Sequence, residues 1–241
     1  MWDAEQLSTF LAEVSTHRLY PFFRLAAFTG ARRGELLHLR WSDLDLNGDE
    51  PNMYVRGSAG MVRGHRIEGT PKSGKVRRVT LDAGTVAVLR AHQDRQGKER
   101  ARAAGSWHEG DHVFRLEIGR PLSADTPGQV MRDRVQAFNE RNPAAPLPRM
   151  RLHDLRHVHA TLLLKAAVPV HVVAARLGHA DPAITLRVYA HVLRDQASEV
   201  AQVFAALVDA APSANPPVSN GVSKPDTPPE VENHPHGSDL R

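Results

Sequence analysis

The spacing of apolar residues predicts that the chain begins with helices. Between residues 4 and 16, large apolar side chains recur every three or four positions, which places them on one face of a helix. Those side chains are Leu7, Phe10, Leu11 and Val14. A second helix is predicted over 18–29, and Gly30 stands where a helix C-cap needs a residue with positive φ. A third helix is predicted over 33–39.

The middle of the chain changes to short segments separated by glycine-rich turns. Strand-forming residues occur in three such segments, which are Met53–Val55, His65–Ile67 and Val76–Leu81. Short runs between turn signals are typical of strands. The pattern predicts a small antiparallel sheet, with Ser73-Gly74 as a tight turn.

Helical spacing returns after the predicted sheet and continues almost to the end of the chain. Gly178 is suited to ending one helix, and Asp181-Pro182 is suited to starting the next. Apolar residues on one face make the final helix amphipathic. They are Val200, Val203, Phe204 and Leu207. Helices are predicted over 82–103, 127–141, 153–166, 169–177, 182–191 and 194–208. The predicted fold class is therefore mainly α with a small antiparallel β-sheet, an α+β fold.

Residues 212–241 differ in composition from the rest of the chain. They contain seven prolines and almost no large apolar side chain, so they bury too little surface to offset the entropy of ordering. We predict a globular domain over 1–211 and a disordered proline-rich tail over 212–241. The whole chain carries a formal net charge of +4, and the part before the tail carries +6. A basic body favours an anionic partner, nucleic acid first.

Three absences narrow the class of protein. The sequence has no cysteine, which excludes disulfides, thiolate metal sites and cysteine nucleophiles. No apolar run approaches the roughly 20 residues that cross a bilayer, so no membrane association is expected. The first residues lack the basic start and apolar core of a secretory signal. We therefore expect a cytoplasmic protein.

The first group of residues that offers chemistry opens the third predicted helix. Arg32 begins that helix and Glu35 follows three positions later. A helix N-terminus attracts anions weakly, and a guanidinium adds a forked donor that fits phosphate oxygens. Glu35 is suited to holding that guanidinium in place. For this pair alone, an ordinary surface ion pair is the favoured interpretation.

The second group is formed by His153 and Arg156, which lie three positions apart and so share a helix face. Histidine exchanges protons near neutral pH and arginine stays charged, so the two together suit a phosphodiester. One alternative is a polar helix start with a solvated histidine. Another is metal binding by His153, His157 and His159, which lacks supporting carboxylates and ligand spacing.

Two further groups involve a histidine with a tyrosine, and a turn lysine. His179 follows Gly178, and Tyr189 comes ten positions after His179. Taken alone, His179 suits a capping role equally well, and Tyr189 suits a core position better. Lys72 precedes the Ser73-Gly74 turn, from which it can reach a neighbouring groove. A solvated turn lysine is the plainer interpretation.

Taken in order, the four groups resemble the motifs of the tyrosine recombinase (phage integrase) family. In that family an arginine in a Thr-Gly-x-Arg-x-x-Glu segment is followed by a hairpin lysine, then His-x-x-Arg, then Leu-Gly-His and finally the tyrosine. The matching parts here are Thr29–Glu35, Lys72, His153–Thr161 and Arg176–Val192. The resemblance extends over residues 4–207 and implies the catalytic-domain fold of that family.

The resemblance implies a phosphate-binding pair and a nucleophile. Arg32 and Arg156 would hold the non-bridging oxygens of the scissile phosphate, and Tyr189 would attack the phosphorus to form a 3′-phosphotyrosine. Arginine and lysine charges offset the charge of the transition state, so the resemblance implies neither a metal nor a cofactor. The covalent bond retains the phosphodiester energy, so rejoining needs no ATP.

The remaining matching residues would handle protons and support. Lys72 would protonate the departing 5′ oxygen, with Lys75 as the alternative donor from the same hairpin. His153 would assist proton transfer at the tyrosine, and His179 would bond the phosphate. Glu35 would hold Arg32 from behind.

The implied function is site-specific cutting and rejoining of double-stranded DNA at an attachment site, in DNA integration and recombination. A type IB topoisomerase-like relaxer and a non-catalytic DNA-binding fragment are the alternatives. The predicted helix 194–208 favours recombination, because in recombinases the segment after the tyrosine docks on a neighbouring protomer. Family members usually begin with a separate helical domain that clamps DNA. This sequence starts close to the catalytic motifs, so we expect that clamp to be absent or removed.

Overall fold

The computed structural model describes residues 1–63, 65–70, 76–179, 181, 183–187 and 200–209. The chain divides into two compact units, Met1–Ser198 and Glu199–Arg241. Three predictions fall outside the described residues: the Ser73-Gly74 turn, the end of the helix expected over 182–191, and the tail 212–241. Within the described part of the chain, no helix combines the length and the apolar character needed to cross a membrane.

Helices form most of the first unit, as predicted. They are α1 (Ala4–Glu13), α2 (Tyr20–Thr29), α3 (Arg33–His38), α4 (Ala83–Ala103), α5 (Thr126–Arg141), α6 (Asp154–Lys165) and α7 (Val170–Leu177). Residues 183–187 are also helical. In the second unit, Val200–Asp209 is a helix. This confirms the described part of the helix that the sequence predicts over 194–208.

The first helix is shorter than its apolar pattern predicts. It begins with a capping box, in which Asp3 accepts a 2.8 Å hydrogen bond from the Gln6 backbone and Gln6 accepts one from Asp3 in return. It ends at Glu13 rather than at residue 16. The Ser15 hydroxyl donates a 2.7 Å bond to the carbonyl of Ala12, and such local bonds compete with helix propagation.

The strands form two sheets, not the single sheet that the sequence predicts. The three-stranded sheet contains β1 (Leu44–Asp45), β2 (Asn52–Val55) and β5 (Arg77–Thr80) in the order β1-β2-β5. A separate antiparallel pair contains β3 (Ser58–Val62) and β4 (His65–Gly69). The prediction therefore missed β1 and β3. In the larger sheet, Met53 pairs with Val79, and both side chains are fully buried.

A cluster of phenylalanines fixes the position of α2. Phe10, Phe22, Phe23 and Phe114 have no more than 1% of their surface exposed. Phe22 meets Phe114 edge to face with 5.0 Å between ring centroids, a geometry that aromatic quadrupoles favour. Helix α2 packs against α6, and α6 packs against α7. This packing brings the C-terminal end of α2 close to α6, where the predicted site residues lie.

Candidate active site

The side chain of Arg156 lies where two helices end. From α6 it donates a 2.7 Å hydrogen bond to the carbonyl of Gly30, the C-cap of α2. It donates a second, of 2.8 Å, to the carbonyl of Leu177, the last residue of α7. Helix ends leave such carbonyls without intrahelical partners and carry partial negative charge. The buried guanidinium is therefore held between α2 and α7 by two acceptors that need a donor and favour a charged one.

Glycine is required at both helix ends that Arg156 joins. Gly30 has φ of 64° and Gly178 has φ of 70°, a left-handed conformation that other residues adopt at a cost. A Cβ on Gly30 would lie 2.6 Å from Leu177 Cδ2 and 2.8 Å from His159 Cδ2. At Gly178 the turn is a Schellman motif, in which the backbone N–H of His179 bonds the carbonyl of Ala174.

The predicted pairing of Arg32 with Glu35 is present at the start of α3. Arg32 Nη1 donates a 2.9 Å bond to Glu35 Oε1, and the Arg32 backbone N–H donates a 2.8 Å bond to Glu35 Oε2. The pair is not an ordinary surface ion pair, because the Glu35 side chain is only 1% exposed. The Arg32 side chain is 27% exposed, so its guanidinium lies at the boundary with solvent.

A second arginine binds the same carboxylate. Arg77, the first residue of β5, donates to Glu35 Oε1 at 2.9 Å and to Oε2 at 2.7 Å. Burial by itself raises the pKa of Glu35, but the hydrogen bonds and charges of Arg77 and Arg32 hold that pKa below its usual value. Glu35 is therefore an anion at neutral pH, shared between two guanidinium groups.

His179 is hydrogen-bonded to Thr185 and lies within the influence of the nearby arginine charges. Its Nδ1 is 2.7 Å from the hydroxyl of Thr185, which is fully buried. Burial, followed by the positive charges of Arg156, Arg32 and Arg77, lowers the pKa of His179 to about 4. The imidazole is therefore neutral at physiological pH and is suited to hydrogen bonding rather than to ion pairing.

His153 occupies the same neighbourhood at the start of α6. Its ring meets that of His157 edge to face, with 5.3 Å between centroids. Partial burial lowers the pKa of His153, and the charges of His157, Arg156 and Arg32 lower it further. The positive charges of Arg32 and Arg156 thus lower the pKa of both His153 and His179. The two arginines come from widely separated parts of the sequence.

The alternative metal site is not assembled. Both ring nitrogens of His159 are engaged: Nδ1 with the carbonyl of Ala27 at 2.8 Å and Nε2 with Arg176 at 3.2 Å. Across the described ranges, no cluster of three or more histidine, cysteine, aspartate or glutamate side chains could hold a metal ion. His159 instead packs between α2 and α7.

Three predicted site residues lie outside the described residues: Lys72, Lys75 and Tyr189. The structure therefore brings together Arg32, Glu35, His153, Arg156 and His179. The last described residues before Tyr189 are the helical residues 183–187.

Comparison with known proteins identifies the family of this chain. The family model described as "Phage integrase family" matches residues 2–196. The chain belongs to the phage integrase family. A tyrosine recombinase XerC-like protein of Caldanaerobacter subterraneus subsp. tengcongensis is 29% identical over 212 residues, covering 83% of this chain and 52% of that protein. An integrase of Streptomyces ambofaciens is 32% identical over 195 residues, covering 79% of this chain and 48% of that protein.

Solved structures agree on the fold of this phage integrase family member. An integrase of the Tn1549 transposon, in complex with transposon right end DNA, superposes with a TM-score of 0.69 at 20% identity. The match covers 83% of this chain and 65% of that one. The chain spans about half the length of the curated relatives it matches.

Sequence analysis gave no role to two arginines near the candidate site, Arg77 and Arg176. Arg77 binds Glu35, and Arg176 joins α7 to the carbonyls of Phe28 and Thr80 at 2.9 and 3.3 Å. Arg77 lies in a predicted strand, where an arginine usually faces solvent. Its one sequence signal is that β5 carries two successive arginines, which face opposite sides of the strand.

Proposed function

We propose that this chain is the catalytic part of a site-specific recombinase that cuts and rejoins double-stranded DNA through a 3′-phosphotyrosine. The observation that carries the proposal is that Arg156 bonds the carbonyl of Gly30, two positions before Arg32, and the carbonyl of Leu177, two positions before His179. Four predicted residues from three parts of the sequence thus share one neighbourhood. Membership of the phage integrase family supports assigning that neighbourhood to a scissile phosphate.

Arg32 and Arg156 would bind the non-bridging oxygens of the phosphate. Arg32 has its carboxylate partner on one side and solvent on the other. Arg156 is held by two helix-end carbonyls, so its position changes little when a ligand arrives. Two fixed guanidinium groups supply positive charge where a pentavalent phosphorus develops negative charge, and they need no reorganisation to do so.

Tyr189 would be the nucleophile. Its phenolic oxygen forms a bond to phosphorus while the bond from phosphorus to the 5′ oxygen breaks, so the 3′ phosphate becomes attached to the enzyme. The phenolic proton goes to a base, for which His153 is suited because its lowered pKa leaves it neutral. Attack by the 5′ hydroxyl of another strand reverses the step and releases the tyrosine.

Lys72 would supply the proton to the departing 5′ oxygen, with Lys75 as the alternative. A 5′ alkoxide is a poor leaving group, so a positioned acid is needed on that side of the phosphorus. His179 would bond the phosphate as a neutral donor, with Thr185 fixing its ring. Glu35 would hold Arg32 from behind.

Double-stranded DNA would be the partner. The residues before the predicted tail carry a net charge of +6, which suits binding to the phosphate backbone with strong salt dependence. The Tn1549 integrase was solved in complex with DNA. We assign catalysis to residues 1–211, with 212–241 as a proline-rich tail.

Self-assembly on DNA would use the C-terminal helix predicted over 194–208. In the described helix Val200–Asp209, Phe204 is 68% exposed and Val208 is 54% exposed. Large apolar side chains on one exposed helix face are suited to packing against a second copy of the chain.

The test is covalent capture of DNA. The 241-residue chain is incubated with a nicked duplex carrying the attachment-site core, found at the ends of the element that encodes it. The nick lets the cleaved end diffuse away, so a protein–DNA adduct accumulates on a denaturing gel. Binding without any adduct would instead favour a non-catalytic DNA-binding fragment.

A further inference from the structure

Arg77 contacts two parts of the candidate site at once. Its guanidinium makes both bonds to the buried Glu35 carboxylate, and its Nε donates a 3.2 Å bond to the carbonyl of Arg176. Its Cδ lies close to Gly178, since a Cβ on that glycine would be 2.9 Å from it. Only 9% of the Arg77 side chain is exposed. One side chain of β5 thus joins the start of α3 to the turn that carries His179.

The charges around Glu35 show what Arg77 does. The carboxylate accepts from two guanidinium groups, Arg32 and Arg77, and neutralises only one positive charge. Arg77 takes the two-pronged geometry, whereas Arg32 has a single side-chain bond. A guanidinium paired through both prongs to a carboxylate is matched in charge and geometry. Arg32, which makes only one side-chain bond to Glu35, is the arginine that faces solvent.

We propose that Arg77 is a positioning residue: by occupying Glu35 through both oxygens, it keeps Arg32 from closing on that carboxylate and leaves Arg32 directed at the phosphate. The inference rests on the proposed function. Without Arg77, Glu35 would be a buried carboxylate with one remaining cation, Arg32, and would draw it inward. Arg77 itself does not touch the substrate.

The test compares Arg77→Ala with its neighbour Arg78→Ala. Arg78 lies on the same strand but bonds the exposed Glu50, so it controls for the loss of one positive charge from β5. We expect Arg77→Ala to cut the nicked duplex about 100-fold more slowly at saturating protein, the scale of a misplacement of about 1 Å. The Kd of Arg77→Ala for the duplex should rise by much less than its cleavage rate falls. Arg78→Ala should cleave at the wild-type rate.

A second variant separates positioning from support of the fold. Glu35→Gln removes the charge that would draw Arg32 inward, so the double variant Arg77→Ala/Glu35→Gln should cleave faster than Arg77→Ala alone. Arg77→Lys keeps the charge without the fork, so it should restore thermal stability more than rate. A merely structural Arg77 would give a double variant as slow as the product of the two single effects, which overturns the inference.

The outcomes for wild type and variants also separate the two proposals. If the wild-type chain forms no adduct, the proposed function fails and the positioning role fails with it. If wild type forms the adduct and Arg77→Ala behaves like Arg78→Ala, only the positioning role is overturned.

Discussion

Arg156 and Gly30 are 126 positions apart in the sequence and joined by a 2.7 Å hydrogen bond. The guanidinium that we assign to the phosphate is therefore also part of the packing between α2, α6 and α7, since it bonds Leu177 as well. Residues of this kind carry structural and chemical roles together, so variants at Arg156 must be measured for both.

Arg156→Met should destabilise the chain as well as abolish cleavage. Methionine fills a similar volume but leaves the buried carbonyls of Gly30 and Leu177 without this donor, at a cost of about 1–3 kcal/mol each. Urea denaturation followed by circular dichroism measures the change. Arg100→Met is the control, because Arg100 pairs with Glu109 on the surface, and exposed pairs contribute less than about 1 kcal/mol. Equal stability of the two variants would contradict the packing role.

The same substitution should have opposite effects at two glycines. Gly30→Ala introduces a Cβ into a left-handed residue and against Leu177 and His159, so it should lower the melting temperature. Gly97 lies inside α4, and a Cβ there meets nothing within 4 Å. Gly97→Ala should therefore stabilise the chain, by roughly 0.5–1 kcal/mol, since alanine is the better helix former. Differential scanning calorimetry of the two variants checks both signs, and a stable Gly30→Ala would refute the requirement for positive φ.

Stability should fall as the pH decreases from 6.5 toward 4. Burial lowers the pKa of both His92 and His159 to about 4, whereas the unfolded chain keeps values near 6.5. The native state therefore binds fewer protons in this window, so stability is complete above pH 6.5 and is lost as the pH falls through it. At pH 5, each of these two histidines should lower the free energy of unfolding by on the order of 2 kcal/mol. Melting temperatures at pH 7.5 and pH 5 measure the loss.

His92→Gln provides the matched variant for this pH effect. Glutamine can donate to the carbonyl of Val113, as the His92 ring does at 2.7 Å, but it does not titrate. The difference in stability between pH 7.5 and pH 5 should therefore shrink in this variant. An unchanged difference would show that protonation of His92 does not contribute to the loss of stability at low pH.

The helices were predictable because their signals are local. Gly30 and Gly178 end α2 and α7 in the left-handed conformation, and Asp82 caps α4 by accepting from the Thr85 backbone. The strands were less predictable. β3 reads Ser-Ala-Gly-Met-Val, which has two small residues and a glycine in place of alternating β-formers, so only its pairing with β4 reveals it.

The sequence names candidate residues for the site but does not show the contacts between them. Motif order identified Arg32, Glu35, His153, Arg156 and His179 because those residues resemble a known family. The contact between Arg77 and Glu35 joins residues 42 positions apart, and no local pattern encodes such a contact. Likewise, the sequence gives no sign that Arg156 binds two helix-end carbonyls, since backbone acceptors leave no trace in residue identity.

Lys72 and Lys75 can be separated by leaving-group chemistry. We expect Lys72→Ala to cleave ordinary DNA about 10²–10⁴-fold more slowly, the scale of a lost general acid, and Lys75→Ala to cleave it almost normally. Replacing the bridging 5′ oxygen with sulfur gives a thiolate that leaves without a proton. Lys72→Ala should then recover, whereas Arg156→Ala should not. Recovery of Lys75→Ala instead would exchange the two assignments, and recovery of neither would remove both lysines from the role.

The most direct test of the proposed recombinase is to locate the covalent bond. After incubation with the nicked duplex, proteolysis and mass spectrometry should find the nucleotide on the peptide that contains Tyr189. Tyr189→Phe should form no adduct while keeping its DNA affinity and its melting temperature, since only one hydroxyl is lost. Tyr20→Phe and Tyr54→Phe, which change the other tyrosines of the chain, should form the adduct as wild type does. An adduct that persists in Tyr189→Phe, or that maps to another residue, would contradict the account.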